Sequence, residues 1–162
     1  CFALGLNHTN FSQAVEKLKN VEHRIEFIGS KKNINFFNDS KSTNIDSVLT
    51  ALDSLENNLL IIGGREKHGG LKGIERKKNK IIKAYTFGEA KKNFHNYLRK
   101  NSIKSAFFSN LETAFNSAVK DALKLKIKVN ILFSPACSSY DQFKNFSERG
   151  KYFKNLFYKK IK

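Results

Sequence analysis

The chain has 162 residues, 40% of them hydrophobic, which suits one domain with its own core rather than two domains. No apolar run approaches the ~20 residues that a membrane-spanning helix needs, and no secretory leader opens the chain, so we expect a cytoplasmic protein. The two cysteines, Cys1 and Cys137, form neither a metal-ligand pattern nor a disulfide framework. Because the first residue is Cys1 and not Met, we expect a fragment of a longer polypeptide.

The net charge of +16 allows three interpretations. A nucleic-acid binder would use clustered Lys and Arg to displace counterions from phosphates. A biased genome would produce a Lys-rich surface without any such role, and a net positive field could also gather anionic small substrates. Because the lysines are scattered along the sequence without interleaved aromatic residues, we expect no nucleic-acid partner. Because no apolar run is long enough to span a bilayer, we expect no membrane partner.

The beginning of the chain predicts a helix followed by a β-hairpin. Apolar residues recur near a 3.6-residue period over residues 1–20, which is typical of a helix. Two short β-like runs follow at residues 25–28 and 34–38. The Gly-Ser-Lys-Lys-Asn segment between them indicates a hairpin-like pair.

The rest of the chain alternates between helical and extended patterns. Helices are predicted at residues 44–55, 89–99 and 111–125, strands at 58–62, 80–87, 105–108 and 129–133, and a largely helical segment, broken near Gly150, at 141–160. This alternation implies βαβ units and therefore an α/β, Rossmann-like fold. We expect a mostly parallel sheet of about six strands with helices on both faces.

In such a sheet, ligands bind beyond the carboxyl ends of the strands, so the loops that follow the strands are the candidate sites. Residues 38–44 (Asn-Asp-Ser-Lys-Ser-Thr-Asn) are either a cluster that caps a helix or an anion or nucleotide site, with Lys41 adding charge. Residues 63–73 are rich in glycine but match neither a Walker A loop nor a dinucleotide fingerprint. That segment is either an anion site or a solvated turn.

The third candidate loop, residues 134–146, contains the only proline of the chain. Its small residues and Asp141 at a predicted helix start could present N–H groups and hydroxyls to a ligand carboxylate. A nucleophilic role for Cys137 is disfavoured, because no His or basic partner stands near it in sequence. The four histidines lack metal-ligand spacing, so we expect no metal site.

These loops together resemble one enzyme family. The motifs are His23-Arg24-Ile25-Glu26, Asn38-Asp39-Ser40-Lys41-Ser42-Thr43-Asn44, Gly63-Gly64, and the stretch from Ser134 to Gly150. In order and spacing they resemble the Mur ligases, and within that family the ligases that add D-glutamate to UDP-N-acetylmuramoyl-L-alanine. The Asp-Ser-Lys-x-Thr-Asn stretch separates these from the other Mur ligases and from folylpolyglutamate synthase. A related ligase domain, or a stand-alone basic binding module, remains the alternative.

The resemblance implies two parts and a reaction. Residues 1–22 would be the end of a central ATPase domain with its linker, and residues 23–162 the C-terminal, amino-acid-binding domain. The implied reaction of peptidoglycan biosynthesis forms an amide from ATP, UDP-N-acetylmuramoyl-L-alanine and D-glutamate through an acyl phosphate. The ligands of Mg²⁺ would lie in the central domain, so this chain alone, expected to be monomeric, should be inactive.

The resemblance also assigns site residues. Lys67 would pair with a carboxylate of D-glutamate, with Thr43, Ser139 and the backbone of Phe146 as further ligands. Lys41 would be the catalytic lysine near the phosphates.

Arg24 and Asp39 would contact the nucleotide, and His23 would belong to the hinge. One departure concerns the glycine-rich loop, where Glu66 and His68 replace the Asp and Gly of the family pattern. Because of this departure, Lys72 is a second candidate for the role of Lys67.

Overall fold

A computed structural model describes residues 21–67 and 69–161 of the chain. The predicted helix over residues 1–20 and residue His68 lie outside the described residues. The described part contains six strands, four α-helices and one 3-10 helix. In chain order these are β1 (Glu26–Lys31), β2 (Ile34–Asn38), α1 (Ile45–Ser54), β3 (Asn58–Gly63), the 3-10 helix Ile74–Lys80, β4 (Ile81–Phe87), α2 (Lys91–Lys100), β5 (Ser105–Phe107), α3 (Leu111–Ala122), β6 (Val129–Phe133) and α4 (Phe146–Lys160).

The strands form one sheet in the order β1-β2-β6-β3-β4-β5. Only β1 is antiparallel to its neighbour, and the other four pairings are parallel, so the predicted mostly parallel α/β sheet is confirmed. The last strand, β6, inserts between β2 and β3. This insertion places the loop after β6 between the loops that follow β2 and β3.

Helices cover both faces of the sheet, as the sequence predicted. On one face α3 and α4 pack over a core that includes Phe36, Phe115 and Phe153, and on the other α1 and α2 pack over a core that includes Leu60 and Leu98. All six residues of β3 are buried, because a central parallel strand is covered on both sides. Full burial of one such side chain contributes about 1.5–3 kcal/mol.

The last helix differs from the prediction. It begins at Phe146, not near residue 141, because the Asn145 side chain accepts a hydrogen bond from the Glu148 N–H and caps it. It also continues through Gly150 without a break. Gly150 serves packing: a Cβ atom there would lie 2.4 Å from Nδ1 of His23.

The 3-10 helix Ile74–Lys80 was not predicted, since its charged sequence carries no apolar period. No helix in the described part of the chain is long and apolar enough to cross a membrane.

Candidate functional site

The three candidate loops meet where the parallel strands end. Together with the turn after β4 they form one edge of the sheet, here called the carboxyl edge and defined by residues 39–44, 64–73, 88–90 and 134–145. The Asp39 N–H donates to the carbonyl of Phe133 at 2.8 Å, which joins the first loop to the end of β6. The backbones of Arg65 and Ser138 exchange two hydrogen bonds of 3.1 Å, which join the second loop to the last. Backbone pairing therefore fixes the relative positions of the three candidate loops.

The carboxylate of Asp39 is a buried centre of this edge. Its Oδ2 accepts hydrogen bonds from the hydroxyls of Ser42 at 2.5 Å and Ser134 at 2.7 Å, and its Oδ1 accepts from the Ile25 N–H at 3.1 Å. Burial raises the pKa of Asp39, against the effect of these donors and of the charge of Arg24. With four lone-pair positions and three donors, the carboxylate keeps one acceptor position for a ligand.

The two residues predicted to contact the nucleotide line one pocket. Arg24, exposed to solvent, and buried Asp39 share a cavity of about 270 Å³ with Ser42, Asn44 and Asp46 at the start of α1. The structure thus brings these two predicted residues together, although 15 positions separate them in sequence. Asn44 also caps α1, because its side chain accepts from the Ser47 N–H at 3.0 Å.

The segment that leads into this pocket carries backbone strain. His23 has φ 64° and Ile25 has φ 42°, and such conformations cost roughly 1–3 kcal/mol each in side-chain-bearing residues. Hydrogen bonds hold the segment: the Lys41 N–H donates to the His23 carbonyl, and the Ile25 N–H to Asp39. The His23 ring is buried, which lowers its pKa, and its Nδ1 lies 2.8 Å from Nδ2 of Asn38.

A fully buried arginine joins two of the loops to α4. Arg149 donates from Nε to the Ser40 hydroxyl at 3.1 Å and from Nη2 to the carbonyls of Ser40 at 2.9 Å and Cys137 at 3.0 Å. The Ser40 hydroxyl in turn donates to the Phe146 carbonyl at 2.8 Å. Burial lowers the pKa of Arg149 to about 10, so the guanidinium stays charged at neutral pH.

Close packing beside the Arg149 guanidinium explains why the residue directly after β3, Gly64, is a glycine. Gly64 has φ 131°, and a Cβ atom there would lie 2.5 Å from the Ser138 carbonyl oxygen and 3.2 Å from Nη1 of Arg149. A side chain at this position would push the loops apart, so the Gly63-Gly64 pair is required by the approach of two backbones.

The largest cleft at the carboxyl edge has a volume of about 980 Å³. Its lining includes Arg65, Lys67, Ser138 and Asn44, and Asn44 also lines the smaller pocket, so the two cavities adjoin. Arg65 is already paired with Glu89 through two hydrogen bonds of 2.9 Å. Lys67 makes no ion pair with any described residue and is therefore the cation of this cleft that is available to an anion.

Lys67 and Lys72, the two candidate partners of a ligand carboxylate, differ in their position relative to this cleft. Lys67 lines it, whereas Lys72 is not among the described residues that do. Both side chains are exposed. Of the two lysines, Lys67 is therefore the one that the described structure places at this cleft.

The remaining predicted ligands surround the cleft rather than line it. Ser139 is buried next to Ser138, and Thr43 is half-buried beside Asn44. Phe146, the first residue of α4, presents its ring 6.0 Å from Nζ of Lys41, and its carbonyl is occupied by Ser40. The described chain thus places Lys67 and Ser139 on adjoining loops but does not bring Phe146 into the same cleft.

Cys137 lies in the buried part of the last loop. Burial raises its pKa to about 12, so the group is a neutral thiol at physiological pH. The charges of Arg149 and Lys67 lower this pKa, but burial outweighs them. A neutral thiol is a poor nucleophile, and this agrees with the sequence-based interpretation.

One cluster in the described residues has ligand atoms close enough for a metal ion: Glu22, His23 and Glu26. The ammonium of Lys154 lies 3.1 Å from Glu22 Oε1 and 2.6 Å from Glu26 Oε1. Because a cation already neutralises both carboxylates, the cluster does not fit Mg²⁺, which prefers an open set of oxygen ligands.

No family model matches the chain. Curated relatives do: the UDP-N-acetylmuramoylalanine–D-glutamate ligase of Rickettsia prowazekii is 46% identical over 154 residues, covering 94% of this chain and 34% of the relative. The proteins of the same name from Elusimicrobium minutum and Wolbachia pipientis wMel are 42% and 38% identical, covering 96% and 97% of this chain.

The chain belongs to the Mur ligase family. Two solved Mur ligases share its fold: MurF from Acinetobacter baumannii, with a TM-score of 0.65 and 13% identity, and MurC from Thermotoga maritima, with 0.63 and 14%. Each covers 97% of this chain, and the chain covers 35% of each. The chain spans about one third of the length of its curated relatives and corresponds to the C-terminal domain of a Mur ligase.

Sequence reasoning missed two residues that organise this Mur ligase domain. Arg149 was quoted within the last motif, but no role was assigned to it, since an arginine inside a helix usually lies in solvent. For Ser40, the sequence indicated only that it belongs to the segment 38–44, which either caps a helix or binds an anion or nucleotide. The repeated small residues on both loops were the available signal, because they leave room for a large buried side chain from elsewhere.

Proposed function

We propose that this chain is the amino-acid-binding domain of a ligase that adds D-glutamate to UDP-N-acetylmuramoyl-L-alanine in peptidoglycan biosynthesis. The observation that carries the proposal is the cleft at the carboxyl edge, which is lined by Lys67, a lysine without an ion pair to any described residue. The chain that forms this cleft is 46% identical to a protein named for that reaction. Within this proposal, residues 1–22 end the central domain and its linker, residues 23–162 form this domain, and the enzyme acts in the cytoplasm.

The proposed amino-acid site is built for a small dianion. Lys67 supplies the charge for one carboxylate, while Ser139 and Thr43 supply hydroxyl donors, and Phe146 a backbone group, on neighbouring segments. A hydrogen bond to a charged group contributes about 1.5–3 kcal/mol. Because Arg149 ties the loops of Thr43 and Ser139 to α4, these donors are held in position before the ligand arrives.

The proposed nucleotide site is the adjoining small pocket. Arg24 is exposed and free to contact a base or phosphate, and Asp39 keeps one acceptor position for a ribose hydroxyl. Lys41, half-buried beside Phe146, is the proposed catalytic lysine near the transferred phosphoryl group. Since the Glu22, His23 and Glu26 cluster does not fit Mg²⁺, the magnesium ligands would lie in the rest of the protein, as the resemblance implies.

The role of this domain in the reaction is to position and enclose. ATP activates the alanine carboxylate as an acyl phosphate, and the amine of D-glutamate then displaces phosphate to form the amide. This domain would hold the amine against the acyl carbon, and such positioning reaches effective molarities of ~10⁵–10⁸ M. Closure over ATP would exclude water from the hydrolysable intermediate. Alone, the chain holds only part of the ATP site and should show no turnover.

The test uses this chain joined to the coding region upstream of it, with ATP, magnesium and UDP-N-acetylmuramoyl-L-alanine. Phosphate release should depend on D-glutamate and should fail with L-glutamate, L-lysine or no amino acid. Release with L-lysine instead would assign the chain to a ligase that adds another amino acid. Absence of release with all of them, from a folded protein, would refute the proposal.

The site assignment is tested by point variants of the same ligase. Lys67→Ala and Ser139→Ala should each raise the KM for D-glutamate by roughly ten- to hundredfold, the equivalent of one charged hydrogen bond. Lys72→Ala is the matched control, with the same charge change in the same loop but outside the cleft, and should leave this KM unchanged. A raised KM in Lys72→Ala together with an unchanged KM in Lys67→Ala would exchange the two roles.

A further inference from the structure

The edge of the sheet opposite the site carries much of the net positive charge. Five turns precede the parallel strands there: residues 31–33, 55–57, 77–80, 99–104 and 123–128, here called the amino edge. These turns contain eleven basic residues and one acidic residue, Glu56, whereas the loops of the carboxyl edge contain five basic and four acidic residues. The lysines that are scattered along the sequence are therefore gathered in space.

Hydrogen bonds tie these turns to the neighbouring strands. The Val129 N–H donates to the carbonyl of Asn33 at 2.9 Å, and the Asn130 N–H to that of Asn57 at 3.2 Å. Farther along the edge, the Asn58 side chain donates to the Lys80 carbonyl at 3.0 Å. At the last strand the Ala84 N–H donates to the Lys104 carbonyl at 2.8 Å. The turns thus follow one another along the same edge of the sheet, and the Asn57 side chain joins two of them directly by donating to the Lys128 carbonyl at 3.4 Å.

Few of these charges are neutralised within the protein. Ion pairs involve only three of the eleven basic residues, namely Lys77 with Asp53, Lys80 with Glu56, and Lys124 with Asp121. The other eight are exposed and make no ion pair with any described residue. Such a concentration of like charge is unfavourable for the isolated domain and complements a partner that is densely anionic.

The turn of residues 123–128 adds an apolar component. Its sequence alternates Leu-Lys-Leu-Lys-Ile-Lys, and two of its aliphatic side chains are left in solvent, Leu123 at 56% exposure and Ile127 at 51%. Exposed aliphatic side chains between lysines match a bilayer interface, where the lysines meet headgroups and the aliphatic groups enter the acyl boundary. The five turns contain no aromatic residue, and stacking platforms for single-stranded nucleic acid require aromatic residues.

This surface lies away from the point at which residues 21–25 enter the domain. The chain enters the domain at the carboxyl edge, where the Lys41 N–H bonds the His23 carbonyl and the Ile25 N–H bonds Asp39. The amino edge lies at the other end of the same strands. A partner bound there would cover neither the candidate site nor the incoming chain.

We propose that the amino edge binds the surface of membranes rich in anionic phospholipids, with Leu123 and Ile127 inserted at the headgroup boundary. This peripheral contact differs from the sequence-based expectation of no membrane partner. That expectation considers only membrane-spanning segments. Binding depends on lipid charge, because each basic residue near an anionic bilayer strengthens partitioning by roughly fivefold.

The experiment is flotation of the complete 162-residue chain with vesicles of phosphatidylcholine, with and without about one third phosphatidylglycerol. The chain should float with the anionic vesicles at about 0.1 M salt, remain unbound to the neutral ones, and be released at about 1 M salt. No binding to anionic vesicles at the lower salt would overturn the proposal. So would tighter binding to a single-stranded or duplex oligonucleotide at the same salt, since the partner would then be nucleic acid.

Variants locate the contact. Replacing Lys31, Lys126 and Lys128 by Gln should weaken binding to anionic vesicles at least about tenfold. The matched control replaces Lys92, Lys144 and Lys151 by Gln, an equal charge change at exposed positions outside the amino edge, and should bind like the parent. Equal losses in both triple variants would overturn the assignment of the surface. All these side chains are exposed, and circular dichroism would verify that every variant folds.

The apolar part has its own variant. Leu123→Ser with Ile127→Ser should weaken binding to anionic vesicles severalfold while leaving its salt dependence unchanged, because no charge is removed. Unchanged binding by this double variant would overturn the insertion of the two aliphatic residues.

Discussion

The two edges of one sheet show how differently the same strands can be used. At the carboxyl edge, polar side chains are buried and hydrogen-bonded within the protein, Asp39 to Ser42 and Ser134, and Ser40 to Arg149 of α4, and acids nearly balance bases. At the amino edge, the charged side chains are mostly exposed lysines, and beside them the buried Asn58 amide donates to the backbone carbonyls of Leu55 and Lys80. The first arrangement fixes loops in one geometry, and the second leaves a charged surface for a partner.

The two edges also differ in how much they contribute to the net charge of +16. If the +16 served to gather anionic substrates, the charge would concentrate near the site, yet the carboxyl edge holds five bases against four acids. The field near the site must then come from individual groups such as Lys67 and Arg24. The bulk of the charge is explained by the opposite edge.

The largest expected effect on stability comes from the buried arginine. Arg149→Met keeps the volume of the side chain but removes three hydrogen bonds to Ser40 and Cys137, and should lower the free energy of unfolding by roughly 2–4 kcal/mol. Lys128→Met at the amino edge removes an equal charge from an exposed position and should change it by no more than ~0.5 kcal/mol. Guanidinium-induced unfolding of both variants measures the difference, and equal effects would break the contrast between the edges.

Much of the fold could be predicted from sequence, because most elements, unlike the 3-10 helix, carry a local signal. The continuous apolar run of β3, the alternation of strands and helices, and the Asn44 cap all rest on neighbouring residues. The loops of the site were predictable for the same reason, since they follow the strands. The burial of Arg149 and the clustering of lysines at the amino edge could not be predicted from neighbouring residues, because both depend on the insertion of β6 between β2 and β3.

Gly150 illustrates the limit of local reasoning. A glycine in a helical pattern predicts a break, because glycine costs about 1 kcal/mol relative to alanine in a helix interior. In the structure the helix continues, and the glycine is needed because the His23 ring lies against it. Only the distant residue explains the local choice.

The second prediction concerns the contact between Gly150 and the His23 ring, which is part of the packing beside the carboxyl edge. Gly150→Ala should lower the free energy of unfolding by about 1–3 kcal/mol, since the new methyl group would meet the His23 ring. In a His23→Ala background the same change should instead raise it, by up to ~1 kcal/mol, because helix propensity then decides. A double-mutant cycle measured by urea unfolding gives the coupling. The same sign in both backgrounds would contradict the packing role.

The smallest expected effect concerns the charge of Asp39 and its pH dependence. Because burial raises the folded-state pKa, the folded protein keeps a proton that the unfolded chain releases above its pKa of about 3.9. The contribution of Asp39 to stability is therefore fully present below that pH and is lost as the pH rises through the folded-state pKa. The amide introduced by Asp39→Asn does not titrate. The substitution should therefore lower the free energy of unfolding by about 1 kcal/mol near pH 4 and by less toward neutral pH.

Urea unfolding of Asp39→Asn and of the parent at both pH values measures this difference. The matched change at the amino edge is Glu56→Gln, which removes a solvent-exposed partner of Lys80 and should alter stability by at most ~0.5 kcal/mol at either pH. If the cost of Asp39→Asn instead grew with pH, the hydrogen bonds from Ser42, Ser134 and Ile25 would outweigh burial. The carboxylate would then be stabilised in its charged form, and the buried edge would resemble the solvated one in its preference for charge.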